Sequence, residues 1–460
     1  MLTNISRTLL SKNLSSGQQK NLQQTLERLE LEQATVRRRM SIYNAIRSSS
    51  EGSEKWSVER VQRLLPANAA LLDYNMGDVP AVFVLTRERF EVVRLPRPDQ
   101  LRERISILFD LVSKDSGEPF GSFEVSGAHD LFADVIQPAL RVVPGTTSHL
   151  IISPSGLLEL LPFEALPMSP QGKFLIEQYS ISYLPSASML ETLREHPAEK
   201  AAKSLLAFAD PVYAQASTSA SMRGFFEDDD FVLSSLPYTR TEAGSVSSIV
   251  GSSDADVFLG PEASESRLKA LDLTKYRMLH FATHAVGSRS HPDRSALVFT
   301  LGSNEREDGF LQIREIYDLR LNADLVVLSA CQTASDNGPA GEGVHGLARA
   351  FFFAGARSLV ASLWQVQDKP TAALMTRFYQ HLRNGLSKAD SLRQAKLDLI
   401  REGSHPRHWA GFVLFGESDG TLFPDKDSRQ LASFVYSTVA SSIVGVLLLV
   451  WFWRFRKRSV

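Results

Sequence analysis

The 460-residue sequence predicts an α/β protein in which a parallel sheet is covered on both faces. Two observations carry that reading. From residue 203 onward, short and continuously apolar runs alternate with helical patterns, and such runs lack the polar alternation of a sheet open to water on one side. Between 58 and 200 a second set of strand and helix patterns precedes them. A third observation concerns the ends: a heptad-like stretch near the start and a run of 23 uncharged residues near the end flank the α/β region.

Residues 18 to about 47 read as one helix. Leu22, Leu26, Leu29, Gln33, Val36, Met40 and Tyr43 are spaced alternately four and three apart, with Gln33 the one polar member. A pattern so short predicts a helix packed against the next domain, which also offers a surface to a regulatory protein. The Ser/Gly stretch 48–55 then acts as a linker, so 1–57 forms a helical segment with its linker.

The unit 58–200 opens with a strand at 69–76. A hairpin at 81–96 turns near Arg87 and Glu88, and a helix over 98–113 follows. SHLIIS predicts a further strand, with a tight turn at Ser155 and Gly156, and ISYLPS at 181–186 one more. The unit contains His129 and His149 but no cysteine, so no thiol chemistry originates in it. The unit 201–420 carries predicted strands at 204–209, 256–259, 277–283, 324–330 and 358–363. Helical patterns lie at 241–250, 264–271, 343–356, 370–384 and 388–401, and alternation of this kind implies parallel pairing with right-handed crossovers. The stretch 214–235, Ser-rich and then acidic, reads as a surface loop.

Residues 431–453 are long and apolar enough to span a bilayer as a single-pass C-terminal anchor, with Trp451 and Trp453 at its end. Arg454, Arg456, Lys457 and Arg458 follow as a basic tail, which favours a cytoplasmic C-terminus. The start lacks the apolar core of a secretory signal, so the side of the membrane that holds the α/β region stays open.

The net charge of −2 gives no electrostatic case for nucleic acid as a partner. There is one cysteine, Cys331, which excludes an intramolecular disulfide and a cysteine metal cluster. A lone cysteine is either a small buried hydrophobe or a nucleophile. Position favours the second. His284 closes the predicted strand YRMLHFAT and Cys331 closes DLVVLSA, and ligands of open parallel sheets bind outside the carboxyl ends of strands. The separation of 47 residues fits one crossover (331 − 284), and a thiol needs a neighbouring base to ionise at neutral pH. The Gly-rich stretch after Cys331 predicts a loop whose backbone approaches a ligand closely. The helix after it turns Leu347, Phe351 and Ala354 inward, and the amides of Ala285, Val286 and Gly287 follow His284. His280 and His284 are four apart, but no Glu follows His280 and the segment reads as a strand, so His280 is a buried strand residue rather than a zinc ligand. Neither a Walker P-loop nor a G-x-S-x-G elbow is present.

The stretch from VVLSACQTASDNGPAGEGVHG to SLVASLWQVQD, with HFATHAVG, SPSGLLELLPFEALP and HWAGFVLFGE, resembles the CHAT domain family of caspase-like, separase-related cysteine peptidases. The resemblance covers about 58 to 418. It implies a caspase–hemoglobinase-like parallel sheet domain at 201–420, preceded by a non-catalytic, pseudo-caspase-like α/β partner at 58–200. It also implies a catalytic dyad of His284 and Cys331, an oxyanion held by the amides of Ala285 and Cys331, and Asp368 of WQVQD as the counter-charge for a basic residue of a protein substrate. Glu342 is expected to be structural. No metal or organic cofactor is called for. The family usually has Gly after the catalytic His; Ala285 keeps the amide but adds a Cβ, which restricts φ. The expected function is therefore a membrane-anchored cysteine endopeptidase cleaving after a basic residue. The alternative is a catalytically silent membrane scaffold that keeps the fold for partner binding.

Overall fold

A computed structural model describes residues 57–113, 122–169, 172–195, 200–213, 233–287, 292–302, 307–329, 331–333 and 341–423, together with 5–6, 8–9, 14–15, 17–30 and 32. Eleven strands form one continuous sheet. The first unit supplies β1 (Ala69–Asn75), β2 (Ala81–Leu85), β3 (Phe90–Arg94), β4 (His149–Ser153) and β5 (Ser180–Tyr183). The second supplies β6 (Lys203–Ala209), β7 (Ala255–Leu259), β8 (Tyr276–Ala282), β12 (Leu325–Leu328), β14 (Ser358–Ser362) and β15 (Phe412–Gly416). The order is β3-β2-β1-β4-β5-β15-β14-β12-β8-β6-β7. The two units thus meet strand to strand at β5 and β15, where Tyr183 pairs with Phe415.

The sheet is mixed: the antiparallel β2–β3 pair is the hairpin predicted at 81–96, and the antiparallel β15 is a correction to the parallel pairing expected of 201–420. The connections β1–β2 and β2–β3 are too short for a crossover and permit only antiparallel pairing. β15 runs antiparallel to β14 because two helices, Asp368–Arg383 and Lys388–Arg401, intervene, and each reverses the chain. The predicted strands of both units otherwise coincide with observed ones to within a few residues. Helix Gly341–Ala354 turns Leu347, Phe351 and Ala354 inward as its periodicity requires. It ends at Gly355, whose φ of 110° disfavours a side chain and where an added Cβ would lie 2.3 Å from Leu321 O.

Helix Lys388–Arg401 ties the two units with buried charge. Lys396 Nζ lies 3.3 Å from Glu164 Oε1, and Tyr183 donates to Glu164 Oε2 at 2.5 Å. Burial pushes the Lys396 ammonium below its usual range while the Glu164 charge opposes that push. Breaking such a pair on one side strands a buried charge, at a cost of about 3–5 kcal/mol.

A second sheet of four short strands stands apart from the large one. It holds β9 (His284–Val286), β10 (Ala296–Val298), β11 (Phe310–Gln312) and β13 (Cys331–Thr333) in the order β11-β10-β9-β13. None of these was legible as a separate element. The N-terminal helix, described over 17–30, packs on this small sheet through Leu26, and Leu9 from the segment before it joins the same buried cluster with Val286, Ala296, Val298 and Phe310. Among the described residues no helix is long and apolar enough to cross a membrane. The predicted anchor at 431–453, the part of the predicted N-terminal helix beyond residue 32, and most of the predicted loop 214–235 lie outside the described residues.

Candidate active site

The large sheet delivers the two candidate residues to one place. β8 and β12 are parallel neighbours, with Phe281 registered on Leu328, so the chain leaves both strands at the same carboxyl edge. His284 and Cys331 do not close these strands, as the sequence suggested. Each opens a new one. β8 ends at Ala282 and β12 at Leu328, and after a short break His284 begins β9 and Cys331 begins β13. β9 and β13 pair in parallel with Cys331 registered on His284. Adjacent strands lie about 4.8 Å apart, so register places the two backbones in direct contact.

The His284 imidazole is held by the chain on three sides. Its Nε2 lies 2.8 Å from the carbonyl oxygen of Ser234. A carbonyl only accepts, so Nε2 carries the hydrogen of the neutral ring. Nδ1 is then the lone-pair nitrogen, and it is buried without a hydrogen-bond partner among the described residues. The backbone amide of His284 donates to the Tyr213 hydroxyl at 3.1 Å, and that hydroxyl donates in turn to Val298 O at 3.1 Å. The Tyr213 ring is tilted against the imidazole at 5.1 Å. Burial holds the His284 pKa below its ordinary value, with the Ser234 bond pulling the other way. The net result is a neutral imidazole whose free nitrogen is ready to take a proton.

Ala285 sits in extended backbone between two paired strands, registered on Leu297 of β10 and Gln332 of β13. Among the described non-glycine residues only Asp210 has a positive φ, so Ala in place of the usual Gly meets no backbone strain here.

Asp368 begins helix Asp368–Arg383, after β14, and its Oδ2 accepts the Tyr238 amide at 2.9 Å. Tyr238 lies in the first turn of helix Pro237–Val250, a terminus where unpaired amides favour a carboxylate. Burial raises the Asp368 pKa; the Tyr238 bond opposes this, and the charges of Glu242 and Asp210 add to it. His280 is fully buried as expected, and its partners are ones the sequence did not disclose: Nε2 lies 2.9 Å from Glu242 Oε1 and Nδ1 3.2 Å from the Tyr379 hydroxyl.

Ser234, Tyr213 and Asp210 were missed. Asp210 follows β6, the neighbour of β8, at φ 51°, with Arg240 Nε 2.8 Å from its carboxylate. A positive φ outside glycine is a mark of functional loops, and Asp adopts it more readily than most residues. The available signal was position: Asp210 and Tyr213 follow a strand beside β8 at its carboxyl end, where ligand-binding residues collect.

One carboxylate cluster has the spacing of a cation site. Single oxygens of Glu265, Glu307 and Glu315 lie within 4.8 Å of one another. The ammonium of Lys269 already sits among them, at 2.7, 2.8 and 3.0 Å. Burial, followed by the charge of Glu315, pushes the Glu265 pKa up to about 7. The chain supplies its own counter-cation there.

Comparison with known proteins places this architecture in context. A family model described as the CHAT domain matches residues 126–417. Tetratricopeptide repeat protein 28 of Mus musculus is 28% identical over 310 residues, 59% of this chain and 12% of that protein. The Homo sapiens protein of the same name matches with the same figures. The chain therefore spans only about an eighth of the length of these curated relatives. Among solved structures, a Saccharomyces cerevisiae separase–securin complex aligns with a TM-score of 0.44 at 11% identity, covering 91% of this chain and 34% of that one. The Arg-specific cysteine proteinase gingipain R aligns with a TM-score of 0.39 at 9% identity, covering 71% and 75%.

Proposed function

This chain belongs to the CHAT domain family, and on that premise we propose that it is a cysteine endopeptidase using Cys331 as nucleophile and His284 as base. The observation that carries the reading is the register of Cys331 on His284 across β13 and β9, beside an imidazole whose Nδ1 has no partner among the described residues.

In this mechanism the Cys331 thiol gives its proton to His284 Nδ1, and the thiolate attacks the carbonyl carbon of the scissile peptide bond. The Ser234 carbonyl, already on Nε2–H, stabilises the imidazolium as it forms. The amides of Cys331 and Ala285 hold the tetrahedral oxyanion. The imidazolium then protonates the leaving amine, the C–N bond breaks, and an acyl-enzyme remains. Water, deprotonated by His284, hydrolyses the thioester and restores the thiol. The protein's own groups suffice for each transfer.

Two finer elements belong to the same proposal. The substrate carries Arg or Lys at the cleaved position. Asp368 is its counter-charge, set in surroundings made more negative by Asp210 and Glu242. The catalytic unit is held at a membrane by the 431–453 run, with the basic tail beyond it. The test of the chemistry is Cys331→Ala, which removes cleavage of a protein substrate while leaving the melting temperature near that of the parent. Retained cleavage by the folded variant rules the mechanism out.

A further inference from the structure

The N-terminal helix does more than cover apolar surface. Arg294 precedes β10 and Arg314 follows β11. The β10–β11 register, with Ala296 on Gln312, Leu297 on Leu311 and Val298 on Phe310, stops short of both: Arg294 closes the 3-10 turn Pro292–Arg294 and Arg314 lies in the short helix Ile313–Ile316. Both side chains are almost wholly buried, at 4% and 3% exposure. A buried guanidinium group is costly unless a counter-charge lies against it.

Glu30 supplies counter-charge to both. Its Oε2 accepts Arg294 Nη2 at 2.9 Å, its Oε1 accepts Arg314 Nη1 at 2.8 Å, and Arg294 Nε lies 3.1 Å from Oε1. Arg314 Nη2 also donates to Ser6 Oγ at 2.6 Å. One carboxylate thus clamps the open end of the β10–β11 pair from a helix more than 260 residues away in sequence.

The clamped pair leads directly to the site. Val298 of β10 is registered on His284 of β9, and His284 on Cys331 of β13, so one cross-strand row joins Phe310, Val298, His284 and Cys331. The apolar contacts of the N-terminal segment reach the same groups. Leu9 and Leu26 share a buried cluster with Val298 and Leu233, and Tyr213 packs against it. Leu233 precedes Ser234, which fixes His284 Nε2, while Tyr213 takes the His284 amide.

We infer that Glu30 is a positioning residue for the His284–Cys331 pair, acting through Arg294, Arg314 and the β10–β11 hairpin. It lies outside the region 126–417 matched by the family model, so on this reading the working catalytic unit of this chain extends beyond the matched region. The inference rests on the peptidase reading, and its test separates the two.

The test measures the rate at which an electrophilic peptide alkylates the single cysteine of the full chain between pH 5 and 9, alongside thermal melting. The variants are Glu30→Gln, which keeps the shape and removes the charge, and Glu30→Ala. A parent chain that reacts no faster than a denatured one sinks the peptidase reading itself. With a reactive parent, we expect Glu30→Gln to stay folded and to react about fivefold to tenfold more slowly near neutral pH, with the midpoint of its pH profile moved upward. Glu30→Asp is expected to restore part of the rate. A purely structural role would lower the melting temperature and leave the rate and midpoint of the folded fraction unchanged. If folded Glu30→Gln shows the parent's rate and midpoint, Glu30 does not position the pair, whether or not Glu30→Ala folds.

Discussion

Cys331 and His284 are register partners in a parallel strand pair, β13 and β9, that is separate from the strands delivering them to the site. β8 and β12 bring the chain to the carboxyl edge; the small sheet then fixes the distance between the two residues. Their mutual placement depends on short strands whose support comes from elsewhere: Ser234, Tyr213, the β10–β11 hairpin and the N-terminal helix.

Tyr213→Phe tests that support. It removes the hydroxyl that takes the His284 amide and donates to Val298 O. We expect a stability loss of about 1–2 kcal/mol, because the amide and carbonyl are left without their bond. We also expect kcat to fall about tenfold with little change in KM, the signature of a group that acts on the reacting pair rather than on substrate. Chemical denaturation and steady-state kinetics on one preparation check both; an unchanged kcat with lowered stability would assign Tyr213 a structural role alone.

The pH profile follows from the buried imidazole. Desolvation lowers the His284 pKa, so the neutral, proton-accepting form persists below the ordinary histidine value of about 6.5. The acid limb of kcat/KM should therefore have its midpoint below about 6.5. A midpoint above that value would contradict the neutral base.

Stability has an acid limb with a different origin. Burial lowers the pKa of His345, whose Nε2 lies 3.4 Å from Glu159 O, to about 4. Its neutral form is favoured in the folded chain, so its contribution is complete above the unfolded value and is lost as pH falls from about 6.5 toward 4, at most about 3 kcal/mol. Glu265 acts oppositely, since its raised pKa makes the folded chain bind a proton more readily between about 4.5 and 7. His345→Gln should flatten the acid fall in melting temperature, and Glu265→Gln should steepen it; if both profiles match the parent, these two groups do not govern it.

Much of the large sheet was legible because its strands are apolar on both faces and bounded by turn residues. Most strand positions and the helices of 201–420 followed from those patterns, and so did the placement of His284 and Cys331 at one edge, whereas the helices Val58–Leu64, Ser122–Val135 and Met189–Glu195 were missed. The small sheet was not legible. β9, β10, β11 and β13 have three residues each, too few for a period to register, and they are defined by pairing between residues as far apart as Phe310 and Val298 or Cys331 and His284. β15 was missed as a strand, and its antiparallel direction is set by the two helices preceding it. Glu30, Arg294 and Arg314 read singly as surface charges, and only the fold brings them into one buried cluster.

Ala285→Gly addresses the departure from the family pattern. The backbone at Ala285 is extended, so removing the Cβ relieves no strain. We expect kcat/KM to stay within about threefold of the parent, below 1 kcal/mol of change in the barrier. A gain of tenfold or more would mean that the Cβ obstructs the oxyanion site.

Asp368→Asn separates two roles. Asn keeps an oxygen to accept the Tyr238 amide, so stability should change by less than about 1 kcal/mol. Specificity should change by more: kcat/KM for Arg or Lys substrates falls at least about tenfold, and uncharged substrates are affected much less. Equal losses across a library varied at the cleaved position would leave Asp368 with only its helix-capping role.

The anchor proposal is tested by a stop codon after Phe423. Leu422 O accepts Arg277 Nη1 and Arg383 lies over the Phe423 ring at 5.0 Å, so the folded unit includes these residues and a cut at Asp419 would remove contacts it needs. The shortened chain should remain in the supernatant after high-speed centrifugation, while the full chain pellets with membranes through a high-salt wash. Retention of the shortened chain on membranes after that wash would overturn the anchor.

The central claim is that Cys331 is a nucleophile activated by His284 as its base, and the most direct measurement is alkylation. Cys331 is the only cysteine, so an intact-mass shift with a thiol-selective reagent reports on it alone. At pH 7 an ordinary thiol, with a pKa near 8.5, is only a few per cent ionised. The native chain should therefore react at least about tenfold faster than the denatured chain, and His284→Ala should remove most of that advantage. A native Cys331 that reacts no faster than the denatured one, or one equally fast in His284→Ala, would contradict the account.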